Sequence, residues 1–293
     1  MSQTIPGAFI VPEDAPAWFI ENLRHPGRPS FAVANAGEVH FLTWNWQNDA
    51  LPTLMLVHGF SGHAHWWSFL APFFSERYRV LAVDLPGMGE SAPLSRYTDD
   101  CFADALIAII EQHQLAPVTI VGHSFGGAQS IRAMARRPDL FRQGVVVDSY
   151  ITLPPEQPAR MVEATGKRRY RNSQAECIDK FRLSPPQPLQ IEAIRQYIGF
   201  HSCARHEQGW YWKFDPWLCN RGEIHDVELT SSVIVPVDCI YGELSMFNCD
   251  DRPARILQSF AQPGQLILIP EAFHHLMIDH PLELVDSINA VLF

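Results

Sequence analysis

A serine with glycines two positions away on either side, Gly122-His123-Ser124-Phe125-Gly126, follows a β-branched run and precedes small residues suited to a helix. That order reads as strand, sharp turn and helix with Ser124 at the apex, the G-x-S-x-G elbow whose glycines let a strained turn pack closely. Such a turn exposes the hydroxyl. It also puts the Phe125 N–H at the start of a helix, where backbone donors and the helix dipole meet developing negative charge. A serine hydroxyl is a weak nucleophile until a base takes its proton, so a histidine must come within hydrogen-bond reach. Of thirteen histidines, His274 and His275 are best placed, directly after the last strand pattern. An ionised carboxylate must then hold the imidazole tautomer and stabilise the imidazolium formed in the transition state.

Other clusters point elsewhere. His201, Cys203 and His206 are close enough in sequence to suggest metal ligands, but no fourth ligand stands at zinc-like spacing, and no metal site is expected. Cysteines 101, 177, 203, 219, 239 and 249 include no C-x-x-C pair, so a reducing cytoplasm fits best. The net charge of −10, from 32 acidic residues against 22 Lys and Arg, argues against a nucleic-acid partner. One dense basic run, Lys167-Arg168-Arg169-Tyr170-Arg171, reads as a solvated helix face, with a clamp for an anionic substrate as the alternative. Neither G-x-G-x-x-G nor a Walker lysine is present, and no cofactor is expected. The N-terminus lacks the basic and apolar regions of a secretory signal, and no apolar run approaches a membrane span.

The elements that must position these residues alternate. Residues 1–28 read as an extended lead-in. A β-hairpin follows around Asn35-Ala36-Gly37, then a buried strand at Leu54 to Val57 and the turn His58-Gly59-Phe60-Ser61-Gly62. Trp66, Trp67, Leu70 and Phe74 stand at helical spacing, and Arg79 to Val83 is the next strand. Thr98-Asp99-Asp100 suits the cap of a helix bearing Phe102, Leu106, Ile109 and Ile110 on one face. After the elbow, Val145 to Val147 is a strand ending at Asp148, and there the βα rhythm stops. It resumes with strands at Val233 to Tyr241 and Gln265 to Ile269 and a final helix. An α/β class is expected, with a mostly parallel sheet and helices on both faces; the site lies at the carboxyl ends of the strands. Residues 29–149 and 232–293 form the core in this reading, and 150–231 an inserted helical cap. Within it, Trp210, Tyr211, Trp212, Phe214 and Trp217 suit either the cap's own core or an apolar pocket.

From about residue 30 the chain resembles the α/β-hydrolase superfamily. His58-Gly59-Phe60 is similar to the family's oxyanion loop, Asp84 to Ser91 to its D-x-P-G-x-G-x-S turn, Gly122 to Gly126 to its elbow, and Pro270 to Pro281 to its histidine loop. The family's histidine stands seven residues before a proline and five before an acid, which His274, Asp279 and Pro281 satisfy, leaving His275 second. The resemblance implies that Ser124 attacks a carbonyl, His274 accepts and returns the proton, and the Phe60 and Phe125 N–H groups stabilise the oxyanion. A serine nucleophile sets the chain apart from dehalogenases and epoxide hydrolases. The family's usual acid position holds Ser245, in Gly242-Glu243-Leu244-Ser245. Asp148, at the alternative location used by some members, is the expected acid, with Glu243 and then Asp250 or Asp251 as alternatives. Trp66 and Trp212 are expected at the substrate pocket, and Phe60, Trp66, Trp67 and Phe125 near the nucleophile favour an apolar acyl or aryl group. The resemblance thus implies a capped serine esterase on a small or medium apolar ester. A hydrolase of a carbon–carbon bond next to a ketone, or a non-catalytic binding protein, are the competing readings.

Overall fold

The computed structural model of the chain describes residues 9–35, 37–98, 100–153, 166–218 and 227–292. Its main sheet has eight strands: β1 (Arg28–Ala34), β2 (Gly37–Trp44), β3 (Thr53–Val57), β4 (Arg79–Val83), β5 (Val118–His123), β6 (Phe141–Val147), β9 (Val237–Gly242) and β10 (Pro263–Ile269). They lie in the order β1-β2-β4-β3-β5-β6-β9-β10, and β7 (Cys203–His206) pairs with β8 (Gly209–Trp212) as a separate hairpin. Pairing is antiparallel for β1 with β2 and β2 with β4, and parallel from β4 to β10.

Parallel strands are buried on both faces, and their side chains alternate between two cores. Met55, Val57, Leu81, Val83, Val118 and Ile120 belong to one core, and Leu54, Leu56, Val80, Ala82 and Val121 to the other. The first core is covered by α2 (Cys101–Gln112), α3 (Phe125–Arg136) and α7 (Arg252–Ser259). The second takes α1 (Ala17–Leu23), α8 (Leu276–Asp279) and α9 (Pro281–Val291). Because β3 has β4 on one side and β5 on the other, the sheet's order reverses there, and the loops after β3 and β5 open a crevice at the carboxyl ends.

Several expectations change. Residues 1–28 are not an extended lead-in throughout: α1 docks Phe19, fully buried, edge-on against Phe69 at 5.6 Å and Tyr197 at 5.7 Å. The segment from His63 to Phe74 is not one helix but two 3-10 turns, Ala64–Trp66 and Ala71–Phe73. Pro72 has no N–H to continue an α-helical ladder, and the Ala64 N–H is taken by Asp84 Oδ1 at 2.5 Å. Asp100 sits at the N-cap of α2 without capping it. Its carboxylate goes to Arg132 at 3.1 Å, while Asp99 and Ala36 lie outside the described residues. β9 starts at Val237, after Pro236, which cannot donate to the ladder.

The segment between β6 and β9 is not helical throughout. It carries α4 (Gln174–Asp179), α5 (Glu192–His201), the β7–β8 hairpin and α6 (Val227–Ser231). The basic run forms no helix face: Arg171 pairs its N–H and C=O with Trp210 at 2.7 and 2.8 Å, extending the hairpin.

Because Phe19 joins the N-terminal helix to both the segment after β3 and the insertion, Phe19→Ala should cost about 3 to 5 kcal/mol of stability. A urea titration checks this. A midpoint within error of the wild type would show that α1 is not part of the cooperative unit.

Candidate active site

Each piece of the site is held at a strand end. From Val118 to Ile131 every residue is buried except Ser124, which is half-buried. Its φ of 53° and ψ of −121° are strained for a residue with a side chain, and its N–H is held by Val147 O at 2.9 Å. The turn depends on close backbone approach: a Cβ on Gly122 would stand 2.6 Å from Gly126 O, and one on Gly126 would stand 2.4 Å from His58 O. Phe125 is the first residue of α3, so its N–H has no intrahelical acceptor.

The Phe60 loop is braced by His58. Leu85 N–H donates to His58 Nε2 at 3.0 Å, which leaves Nδ1–H to donate to Gly59 O at 2.7 Å. Burial lowers this imidazole and keeps it neutral, against the pull of Asp84. The Phe60 ring then meets Phe125 edge-on at 5.5 Å. Asp84 is the peg of the neighbouring turn. Burial alone would raise its carboxyl, but the His40 hydrogen bond at 2.7 Å and nearby imidazoles bring it to about 2. It also accepts from Glu90 N–H at 2.9 Å.

His274 and Asp148 meet at 2.9 Å, through Nδ1 and Oδ1. Asp148 accepts two further hydrogen bonds, from Ser245 Oγ at 2.5 Å on Oδ1 and from Gly242 N–H at 2.8 Å on Oδ2. Burial pushes the Asp148 carboxyl up to about 7, and the Ser245 and Gly242 donors oppose that rise. Three donors around one carboxylate favour its ionised, acceptor-only form. Burial also lowers His274 to about 4, favouring the neutral imidazole. The ring is packed edge-on by Phe247 at 4.8 Å.

Two residues fasten the histidine loop. Asp279 Oδ2 accepts from Phe273 N–H at 2.7 Å, and His123 Nε2–H donates to His274 O at 2.9 Å. His123 therefore ties the residue before the serine to the histidine itself. Its burial brings it to about 3, so it stays neutral. His275 turns the other way: its N–H donates to Gln187 Oε1 at 2.8 Å and its Nε2–H to Pro185 O at 3.2 Å, both in the insertion.

The sequence of the Alpha/beta hydrolase family matches this chain over residues 54–287. The chain belongs to the α/β hydrolase family. An esterase of Mycobacterium tuberculosis is 26% identical over 278 residues, spanning 90% of this chain and 89% of its own length. Among solved structures, E-2-(acetamidomethylene)succinate hydrolase is similar with a TM-score of 0.74 at 20% identity, covering 90% of this chain and 98% of its own. A thioesterase domain from the curacin biosynthetic pathway gives 0.73 at 19% identity, with 90% and 99% covered.

In this α/β hydrolase the alternative acids lie elsewhere. Exposed Glu243 accepts from Glu271 N–H at 3.0 Å, and Asp250 and Asp251 are exposed at positive φ before α7. Trp66 and Trp212 line one cavity of about 160 Å³, together with Phe60, Phe181, Phe214 and His275. The cavity adjoins the site through Phe60, in ring contact with Phe125, and through His275, 4.7 Å from His274. The aromatic run thus divides, since Trp217 is 66% exposed.

His201, Cys203 and His206 do not converge. His201 stacks on His65 at 3.6 Å, Cys203 Sγ points to Gly199 O at 3.1 Å, and exposed His206 stacks on Tyr170 at 5.1 Å. Nitrogens of His123, His274 and His275 lie within 4.8 Å of one another, a spacing open to a metal. One ring nitrogen of each is already spent on His274 O, Asp148 and Pro185 O. The bracing by His123 and Ser245 is not visible in the sequence; the serine in the vacated acid position is the only trace of the latter.

Ser245 stabilises charge on Asp148, so Ser245→Ala should raise the upper titration step of the coupled Asp148–His274 pair. A charge-assisted hydrogen bond of about 1.5 to 3 kcal/mol corresponds to roughly one to two pH units. Carbon NMR of the Asp148 carboxyl against pH reads it directly; an unmoved or lowered step would show that the Ser245 hydroxyl does not support the ionised form.

Proposed function

We propose that this hydrolase is a cofactor-free serine carboxylesterase with Ser124 as nucleophile, His274 as base and Asp148 as the acid that orients it. The observation that carries this reading is the Asp148–His274 contact, tied through His123 to the strained, half-buried Ser124 that follows it in sequence. Ser124 Oγ attacks the ester carbonyl while its proton passes to His274 Nε2. The N–H groups of Phe60 and Phe125 receive the oxyanion. The alcohol departs with that proton, and water then repeats the sequence on the acyl-enzyme, releasing the acid and restoring Ser124.

Neutral His274 is the form a base requires, and Asp148 holds its proton on Nδ1 so that Nε2 faces the serine side. His275 is bound to the insertion through both its backbone and its ring, which leaves it to shape the pocket. The cavity lined by Trp66 and Trp212 suits a small or medium ester with an apolar body. A cytoplasmic setting agrees with the free thiols of Cys101, Cys177, Cys203, Cys239 and Cys249. Among the described residues no helix is long and apolar enough to cross a membrane.

A fluorophosphonate should label Ser124 stoichiometrically, and Ser124→Ala should abolish both labelling and hydrolysis of p-nitrophenyl esters. Labelling of another serine would sink the assignment. For the base and its partner, His274→Ala should lose at least about a thousandfold in kcat. Asp148→Asn should lose on the order of ten-thousandfold with the fold intact. A larger loss in His275→Ala than in His274→Ala would reverse the choice of base.

A further inference from the structure

Among the described residues, the wall of the Trp66–Trp212 cavity holds two cations, Lys213 and Arg182, and no carboxylate. The chain as a whole has the opposite balance, 32 acidic residues against 22 Lys and Arg. Lys213 is placed by its backbone: its N–H donates to Ser202 O and its C=O accepts from Gly89 N–H, both at 2.8 Å. Its side chain is only 12% exposed, whereas its partner Glu90 is 54% exposed and reaches it from the solvent side. That bond uses one of the three ammonium donors.

Arg182 donates to backbone carbonyls of Asp179 and Phe181, the latter at 2.8 Å, which orients the guanidinium without cancelling its charge. A second cleft of about 230 Å³ shares Lys213 and Phe214 with the cavity and adds Arg168, from the basic run, over the Tyr211 ring at 4.2 Å. Its two carboxylates are engaged: Glu90 with Lys213, and Asp215 with the Tyr97 hydroxyl at 2.7 Å. After burial itself, the Lys213 charge is the next largest influence holding His63 and His201 below their ordinary range, so it acts across this interface.

An apolar cavity whose wall carries a lysine with spare donors and an arginine held by backbone carbonyls favours a ligand that brings an anion to them. We propose that the substrate is an ester whose apolar body ends in a carboxylate, held by Lys213 and Arg182 while its carbonyl meets Ser124. This rests on the hydrolase reading above. A short dicarboxylic acid esterified at one end is the matching class.

Monomethyl adipate and methyl hexanoate have acyl chains of equal length and differ in a terminal carboxylate against a methyl, and proton release follows the hydrolysis of both. At low salt the adipate ester should lead by about tenfold or more in kcat/KM. That ratio should fall about tenfold in Lys213→Gln and in Arg182→Gln, and should shrink as salt screens the charges. Arg205→Gln removes the same charge from an exposed position of β7 and should leave the ratio unaltered. A wild-type ratio near one, or a preference that survives both cavity variants, overturns the proposal. If neither ester is hydrolysed, the hydrolase reading fails, and calorimetry with adipate itself decides. Binding that disappears in Lys213→Gln upholds the anion site; no binding to the wild type overturns it.

Discussion

The site depends on one buried charge. Asp148 is fully buried at the end of β6, where an isolated carboxylate would be untenable, and it is kept by donors from one strand end and two loops. Gly242 N–H comes from the end of β9, Ser245 from the loop beyond it and His274 from the loop after β10. Those strands are neighbours only because the sheet is parallel and ordered β6-β9-β10. The register of the sheet and the orientation of the imidazole are therefore one constraint. A slip of either strand would strand a charge in the core as well as misplace a side chain.

Burial sets protonation throughout this end of the molecule. His58, His123 and His274 are each lowered by desolvation, yet each does a different thing with its neutral ring. His58 spends both nitrogens on bracing the Phe60 loop, and His123 spends one on the backbone of the histidine loop. His274 spends one on Asp148, which leaves the other for the proton transfer proposed above. A histidine-rich site of this kind needs its rings neutral, because several imidazolium ions side by side would repel one another.

The insertion contributes differently from the core. It supplies no member of the Asp148–His274 pair, but it grips His275 through Pro185 and Gln187 and provides Trp212, Lys213 and Arg182 to the cavity wall. The core carries the geometry that would do the chemistry, and the insertion shapes and charges the space in front of it.

Local pattern was enough to reveal much of this. The spacing around Ser124, the buried strand runs and the interval from His274 to Asp279 and Pro281 are short-range features. Backbone geometry makes them legible, since a tight turn needs glycine and a buried strand needs an unbroken apolar run. What failed was also local: apolar spacing from His63 to Phe74 suggests a helix, but Pro72 and the claim of Asp84 on the Ala64 N–H decide otherwise. The aromatic run around Trp210 gave no sign of lying on a hairpin whose edge is closed by Arg171. Only the tertiary structure decided that the Ser245 hydroxyl supports Asp148 across 97 positions of sequence, that His123 holds the His274 loop across 151, and that Lys213 and Arg182 share one cavity wall. Those contacts join residues whose types are ordinary and whose spacing has no period. Their meaning comes from the fold that removes them from water together.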